Sequence, residues 1–247
     1  MSGPRRAKKA KKSRSARCVG FDGTNDKVSI SDYTISASGT GDFSISLWFK
    51  TSNTTAITDT PFFAKEVGRF EYWFFFIDGV RKVKFLARDS SGFILNYESE
   101  AQSNDLAGEW NHLVYVCDRD AGQTVYINGA AITALTDTIT DTTTSINNTA
   151  DLTMGQKGSN HLFGRIAEFC TFSKALSASE VSLLYRKKCK YNLLRSKFNS
   201  NLTCWLKMGD GTEVGSGATI YDMSANSNNG TINGAVYVAD IPAGPGS

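Results

Sequence analysis

The chain has 247 residues, with 27 Lys and Arg against 24 Asp and Glu, for a net charge of +3. Its 40% hydrophobic content, including 15 Phe, 9 Tyr and 4 Trp, supplies a sizeable core and excludes global disorder. The longest apolar run, Tyr72–Ile77, is far short of the roughly 20 residues a membrane-spanning helix needs.

The charge is unevenly placed. Residues 1–17 carry Arg5, Arg6, Lys8, Lys9, Lys11, Lys12, Arg14 and Arg17 and no acid, which is +8. The remaining 230 residues hold 19 bases and 24 acids, which is −5. Residues 1–17 therefore read as a disordered basic arm: like charges repel, and no large apolar side chain is present to anchor a fold. They also lack the apolar stretch of a secretory signal, so an intracellular setting is expected.

From Cys18 the texture changes to short strands separated by Gly, Asp and Asn. Val28–Ser31 is the first predicted strand. Phe43, Ile45, Leu47 and Phe49 then alternate with Ser44, Ser46, Trp48 and Lys50, the period of two of a strand with one buried face. Phe70–Ile77 and Val80–Ala87 flank Asp78-Gly79, and Gln123–Ile127 and Ala130–Thr133 flank Asn128-Gly129. Both dipeptides tolerate the positive φ of a tight turn, which predicts two antiparallel hairpins. Phe93–Glu98, Trp110–Asp118, Asp151–Gly155, Phe163–Phe172 and Leu202–Met208 complete the predicted strands. One helix is expected from Ser177, with Glu180 closing a capping box, Leu176 and Val181 forming a staple, Val181, Leu184 and Tyr185 as its apolar face, and Lys187–Lys188 at its end. Many short strands with one short helix imply an all-β, antiparallel two-sheet sandwich over residues 18–240, followed by a flexible tail at 241–247.

Cys18, Cys117, Cys170, Cys189 and Cys204 are odd in number and form no CxxC pair, so they are expected to be buried thiols in a reducing setting. His112 and His161 stand at no zinc-ligand spacing to them. The sequons at Asn53, Asn147, Asn201 and Asn229 fit a composition rich in Asn and Thr. No G-x-S-x-G occurs, and Gly209, Gly211, Gly215 and Gly217 are followed by no GK[ST], so neither a nucleophile elbow nor a phosphate loop is expected. His112, alternating with Trp110, Val114 and Val116, reads as a hydrogen-bonded sheet residue.

FDGTNDKVSI (Phe21–Ile30), GDFSISLWFK (Gly41–Lys50), GEWNHLVYVCDRDAGQTVYINGA (Gly108–Ala130) and FGRIAEFCTFSKALSASEVSLLY (Phe163–Tyr185) occur in an order that resembles laminin-G-like domains of the concanavalin A-like lectin/glucanase superfamily, a jelly-roll sandwich. A closing unit, Asn201–Ala235, resembles one that in many such domains precedes the FDG strand. It is expected either to complete its own sandwich as permuted terminal strands, the preferred reading, or to reach a neighbouring copy. Its order also resembles laminin-G-type structural proteins of phages and other viruses.

The resemblance raises three chemistries. Retaining glycoside hydrolysis needs two carboxylates about 5–5.5 Å apart. Glu168 is the one acid of its strand, its same-face positions being Ile166, Cys170 and Phe172, and Ala167 stands where related domains usually have Asp. A structural or surface role for Glu168 and no enzymatic activity are therefore expected. Relatives often hold Ca²⁺ in loop carboxylates, for which Asp118 and Asp120, and also Asp22 and Asp26, are the candidates. Sugar sites use exposed aromatics beside hydrogen-bonding groups, for which Tyr72, Trp73, Phe93 and Tyr97 are the candidates.

The leading reading is a non-enzymatic virion structural protein of capsid, capsid-decoration or fibre type, made in host cytoplasm, whose sandwich packs on copies of itself or other virion proteins and whose arm contacts nucleic acid by counterion release or an acidic subunit surface. A nuclear localisation signal, with an intracellular or nuclear setting, or a solubilising tail is the other reading of the arm. The alternative is a carbohydrate-binding lectin-like module, with or without Ca²⁺; a glucanase-type hydrolase comes third. No membrane partner is expected.

Overall fold

The computed structural model describes residues 17–36, 38–51, 59–67, 70–77, 81–102, 106–209 and 218–242, with the side chains of residue 59 and of 70–77 outside that description. In chain order the strands are β1 (Cys18–Asp22), β2 (Lys27–Ile30), β3 (Phe43–Thr51), β4 (Asp59–Val67), β5 (Phe70–Ile77), β6 (Lys82–Arg88), β7 (Phe93–Ser99), β8 (Asn111–Asp118), β9 (Gly122–Ile127), β10 (Ala130–Ala131), β11 (Ala134–Ile139), β12 (Leu152–Met154), β13 (Gln156–Lys157), β14 (Asn160–His161), β15 (Phe163–Phe172), β16 (Leu202–Leu206), β17 (Thr219–Ile220), β18 (Gly230–Asn233) and β19 (Val236–Val238). One sheet runs β10-β9-β8-β3-β15-β1-β19, with β16 also beside β15; the second runs β11-β7-β6-β5-β4-β12-β2-β18-β17. Among the described residues the strand ladders of both sheets are antiparallel, as the expected jelly-roll sandwich requires.

The alternation of β3 does what its period implies. Phe43, Ile45, Leu47 and Phe49 point between the sheets, where Phe43, Phe85 and Tyr115 meet with ring centroids 4.1–6.0 Å apart. The β9–β10 turn has Asn128 at φ 52° and Gly129 at φ 82°, the positive pair a two-residue hairpin demands. A Cβ on Gly129 would also lie 2.9 Å from the Tyr185 ring, so glycine lets the helix dock there. The Asp78-Gly79 turn lies outside the described residues.

The helix α1 (Ala178–Lys187) has the expected cap: Ser177 Oγ accepts from Glu180 N–H at 3.3 Å, and Glu180 Oε2 accepts from Ser177 N–H at 3.0 Å. Ser177→Ala is expected to lower stability by about 1 kcal/mol, read as a shift in the urea midpoint. Three 3₁₀ turns follow, at Lys188–Lys190, Leu193–Arg195 and Asn199–Asn201. Leu176, Val181, Leu184, Leu193 and Phe198 from this segment cover the outer face of the first sheet, over Val114, Val116, Phe172 and Trp205. Among the described residues no helix is long and apolar enough to cross a membrane.

One expectation about β15 needs correcting. A β-bulge falls between Ala167 and Cys170, with Glu168 at φ 50°, so alternation is interrupted there. Ile166 and Phe169 face the inter-sheet core, while Ala167 and Cys170 face outward. Glu168 therefore does not share a face with Ile166. The same point divides the opposite edge of β15: its first half pairs with β1 (Phe163↔Asp22 to Ile166↔Val19) and its second half with β16 (Phe169↔Leu206 to Phe172↔Leu202).

The C-terminal strands join both sheets within the chain. β18 pairs with β2, and β19 pairs with β1 so that Val238 stands opposite Cys18. Asp240 then takes Trp110 Nε1–H at 2.9 Å, Lys50 Nζ at 3.4 Å and the Arg165 guanidinium, fixing the chain's end to β3 and β15.

Candidate functional site

Phe93 opens β7 and is 44% exposed. The same strand parity buries Leu95 and Tyr97 completely, but Phe93, at the strand's first position, is left out of the core. The connection before it is a turn that bonds to itself. Asp89 Oδ1 accepts from Ser91 N–H at 2.7 Å, Ser91 Oγ–H at 2.6 Å and Gly92 N–H at 3.2 Å. Those bonds, the Ser91 hydroxyl first, hold the Asp89 carboxyl below the usual carboxylate range, so it is an anion at neutral pH. Arg88, Asp89, Ser90, Ser91, Gly92 and Phe93 line a cleft of about 490 Å³, a size suited to a small ligand.

The rim is held from beneath. The Thr140 hydroxyl donates to Phe93 O, and Thr140 N–H donates to Ile94 O at 3.0 Å. Beyond it, Asp141 gathers the Thr143 and Thr144 N–H and hydroxyl groups, and these bonds, led by the Thr144 hydroxyl, push its pKa down. The Arg119 side chain, 2% exposed, reaches under this loop to donate to Asp141 O at 2.7 Å and Thr144 O at 3.1 Å. An apolar ring beside an anion, a guanidinium and serine hydroxyls, all on a preformed turn, can stack on the C–H face of a pyranose and hydrogen-bond its hydroxyls.

Tyr97 sits in the core against Tyr115, ring centroids 6.4 Å apart, so it is no ligand platform; burial pushes its phenol up to about 12. Tyr72 and Trp73 lie on β5 opposite Ala87 and Leu86 in register, with their side chains outside the described set. Asp118 and Asp120 occupy the β8–β9 turn, where Asp118 Oδ1 accepts Asp120 N–H at 3.2 Å. Asp22 and Asp26 close the β1–β2 turn: Asp26 Oδ2 accepts Asp22 N–H at 2.9 Å and Asp22 Oδ1 accepts Thr24 N–H at 2.8 Å. Among the described residues no three His, Cys, Asp or Glu side chains are grouped as a metal site would need. Of the basic arm, Arg17 alone is described; Arg5, Arg6, Lys8, Lys9, Lys11, Lys12 and Arg14 lie outside. Gly209 receives Arg17 N–H at 3.1 Å, and Gly211, Gly215 and Gly217 lie outside the described residues.

Glu168 is buried on the outer face of the first sheet, where its Oε2 accepts Trp205 Nε1–H at 2.7 Å. It is a buried group, not a surface one. Nearby, His112 Nε2 lies 2.9 Å from Ser46 Oγ, and the ring packs at a tilt of 33° against Trp48, centroids 4.9 Å apart. Burial pushes the imidazole down to about 3, so it is neutral at ordinary pH. All five cysteines are buried free thiols, and burial raises the Cys18 thiol to about 11 and Cys117 to about 12.

Comparison with solved structures finds the same architecture at low identity. A candidate carbohydrate binding protein from Bacteroides ovatus is 15% identical with a TM-score of 0.61, covering 91% of this chain and 60% of its own. The binding domain of Paraclostridial mosquitocidal protein 1 is 16% identical with a TM-score of 0.56, covering 71% and 46%. The binding domain of botulinum neurotoxin serotype D is 15% identical with a TM-score of 0.52, covering 67% and 41%. This chain thus spans about half the length of these structures. Comparison with curated protein sequences gives no match. A laminin G family model matches residues 22–182, well over half of the chain, which therefore belongs to the concanavalin A-like lectin/glucanases superfamily.

Proposed function

We propose that this chain is a carbohydrate-binding module of lectin type that takes glycan in the β6–β7 cleft. The observation that carries this reading is Phe93, an aromatic ring left exposed beside Arg88, Asp89 and Ser91 on a turn held by its own hydrogen bonds. The Bacteroides ovatus neighbour, a candidate carbohydrate binding protein of the same fold, supports it by analogy. Binding here needs no covalent step: the ring covers the apolar sugar face, and the charged groups orient the hydroxyls.

A glycan array run with and without EDTA tests the reading, followed by titration of the best glycan against wild type and Phe93→Ala. The variant is expected to bind at least tenfold more weakly, about 1.4 kcal/mol, with an unchanged melting temperature because Phe93 contributes nothing to the core. EDTA is expected to leave binding intact, since a carboxylate, a guanidinium and an aromatic ring line the cleft. An array without hits, or equal affinity for both proteins, overturns the proposal.

A second reading, a virion structural subunit whose arm holds nucleic acid, rests on the +8 charge of residues 1–17. Its test is size-exclusion with light scattering: a large particle with nucleic-acid absorbance supports it, and a clean monomer removes it.

A further inference from the structure

The charge of the sandwich itself is segregated. Between Val181 and Gly209 the chain holds Arg186, Lys187, Lys188, Lys190, Arg195, Lys197 and Lys207 and not one acid. The rest of residues 18–247 is left with 12 bases against 24 acids, so an otherwise acidic body bears one cationic layer.

The fold turns that layer outward. Leu184, Cys189, Leu193, Phe198 and Leu202 of the same stretch are buried toward the first sheet, while Arg186, Lys187, Lys190, Arg195 and Lys197 are exposed. Among the described residues, Glu180, Glu168 and Asp222 beside it are engaged. Glu180 pairs with Lys174 at 3.0 Å and Lys197 at 3.4 Å. Glu168 lies buried behind the Trp205 indole, and Asp222 accepts Trp205 N–H, Ser224 and Asn228 N–H.

Arg17 enters the sandwich beside this layer. Arg17 N–H bonds Gly209 O, two residues after Lys207, whose ammonium lies 4.9 Å from the Trp205 ring centre. Cys18 packs with Trp48, over which Tyr185 stacks at 5.8 Å and Lys188 Nζ sits at 5.8 Å. Half-buried Tyr185 and Tyr191 are interleaved with the cations. None of the exposed large apolar side chains among the described residues falls within 181–209, which leaves this face nothing to insert into a bilayer. Cations on a broad face with aromatic rings between them suit an unpaired polynucleotide, whose phosphates and bases meet the two in turn.

We propose that the cationic layer, from Arg186 to Lys197 with Lys207, is a single-stranded nucleic-acid surface of the sandwich. It is independent of the glycan reading, whose cleft lies on the β6–β7 turn of the other sheet.

The test measures fluorescence anisotropy of a thirty-nucleotide oligo-dT against salt, using the full chain throughout. One variant carries Arg186→Gln, Lys187→Gln, Lys190→Gln and Arg195→Gln; a second neutralises the arm at Arg5, Arg6, Lys8, Lys9, Lys11, Lys12 and Arg14; a third exchanges Arg and Lys at the four layer positions. Each phosphate contact contributes about 0.7 to the slope of log K against log salt, so the layer variant is expected to lose about 3 from that slope. The arm-neutralised chain, which keeps the seven layer cations, is expected to retain a slope of about −5, and the exchanged variant the wild-type slope. The proposal is overturned if neutralising the arm abolishes binding, or if the layer variant binds as wild type. It is also overturned if sulfated heparin displaces the oligonucleotide at much lower charge concentration, which would make the surface one for sulfated glycans. An exchanged variant that loses binding while its melting temperature holds would overturn an electrostatic basis.

Discussion

Lowering the pH from 7 to 5 is expected to cost the native state about 2 kcal/mol through His112 alone. The imidazole is 1% exposed, and burial takes its pKa from 6.5 to about 3. The folded protein keeps the ring neutral over a range in which the unfolded chain protonates it. The unfolded state therefore binds the extra proton, and stability falls as the pH drops below 6.5, levelling only near pH 3 where the folded site itself titrates. Above pH 6.5 the residue contributes no pH dependence. Glu180 acts outside this window: burial pushes its carboxyl up, but the Ser177 N–H, Lys174 and Lys197 pull it further down, to about 2, so its contribution is lost only below about pH 4.5. Urea midpoints at pH 7, 6 and 5 for wild type and His112→Gln provide the check, since other carboxylates cancel in the difference. The variant's stability is expected to change less with pH; parallel profiles would refute this role for the ring.

A chain cut in the Asn199–Asn201 turn and rejoined from Pro242 to Arg17 through a short Gly-Asn linker is expected to fold into the same sandwich. Val238 and Cys18 are opposed in the β19–β1 pair, so the end of one strand lies beside the start of the other and a hairpin turn can span them. We propose that Asn201–Ala235 is in this sense a permuted unit. Truncation after Phe198 is expected to abolish folding instead, because it removes Cys204, Trp205, Leu206, Met208 and Ile220 from the buried set and leaves half the edge of β15 without a partner. Side chains of this class contribute about 2–5 kcal/mol each when deleted from a core, against a total stability of about 5–15 kcal/mol. Far-ultraviolet dichroism and thermal melts read both outcomes. A permutant that stays unfolded would mean that the order of the ends matters beyond their proximity.

How much was legible beforehand depended on whether a local rule decided the outcome. β3, the Asn128-Gly129 turn and the Ser177–Glu180 box were readable because a period of two, a positive-φ pair and a cap are each local. β11 was not, since Ala134–Ile139 is largely exposed and carries no buried stripe to reveal it. β4 hides its alternation behind Pro61 and a register shift between Pro61 and Phe63. The bulge at Glu168 left no signature, because a non-glycine residue occupies its positive φ. For the site, Phe93 and Tyr97 were indistinguishable by composition and parity; the position of the strand's end exposes one and buries the other. The cationic layer was visible in the sequence as a run without acids, but the net charge of −5 for the body concealed it.

The divided edge of β15 also sets a timetable for biosynthesis. Cys18 Sγ–H donates to Val238 O across a separation of 220 residues, and β2 waits nearly as long for β18. The ribosome releases the N-terminal end first, at about 5–20 residues per second, so β1, β2 and β15 emerge with open edges and stay unpaired there until the last strands follow. Closure depends on contacts of the greatest sequence span, the kind that form slowly. During that interval the nascent chain offers bare strand edges to its neighbours, and yield from rapid overexpression should therefore be governed by how quickly residues 202–238 arrive.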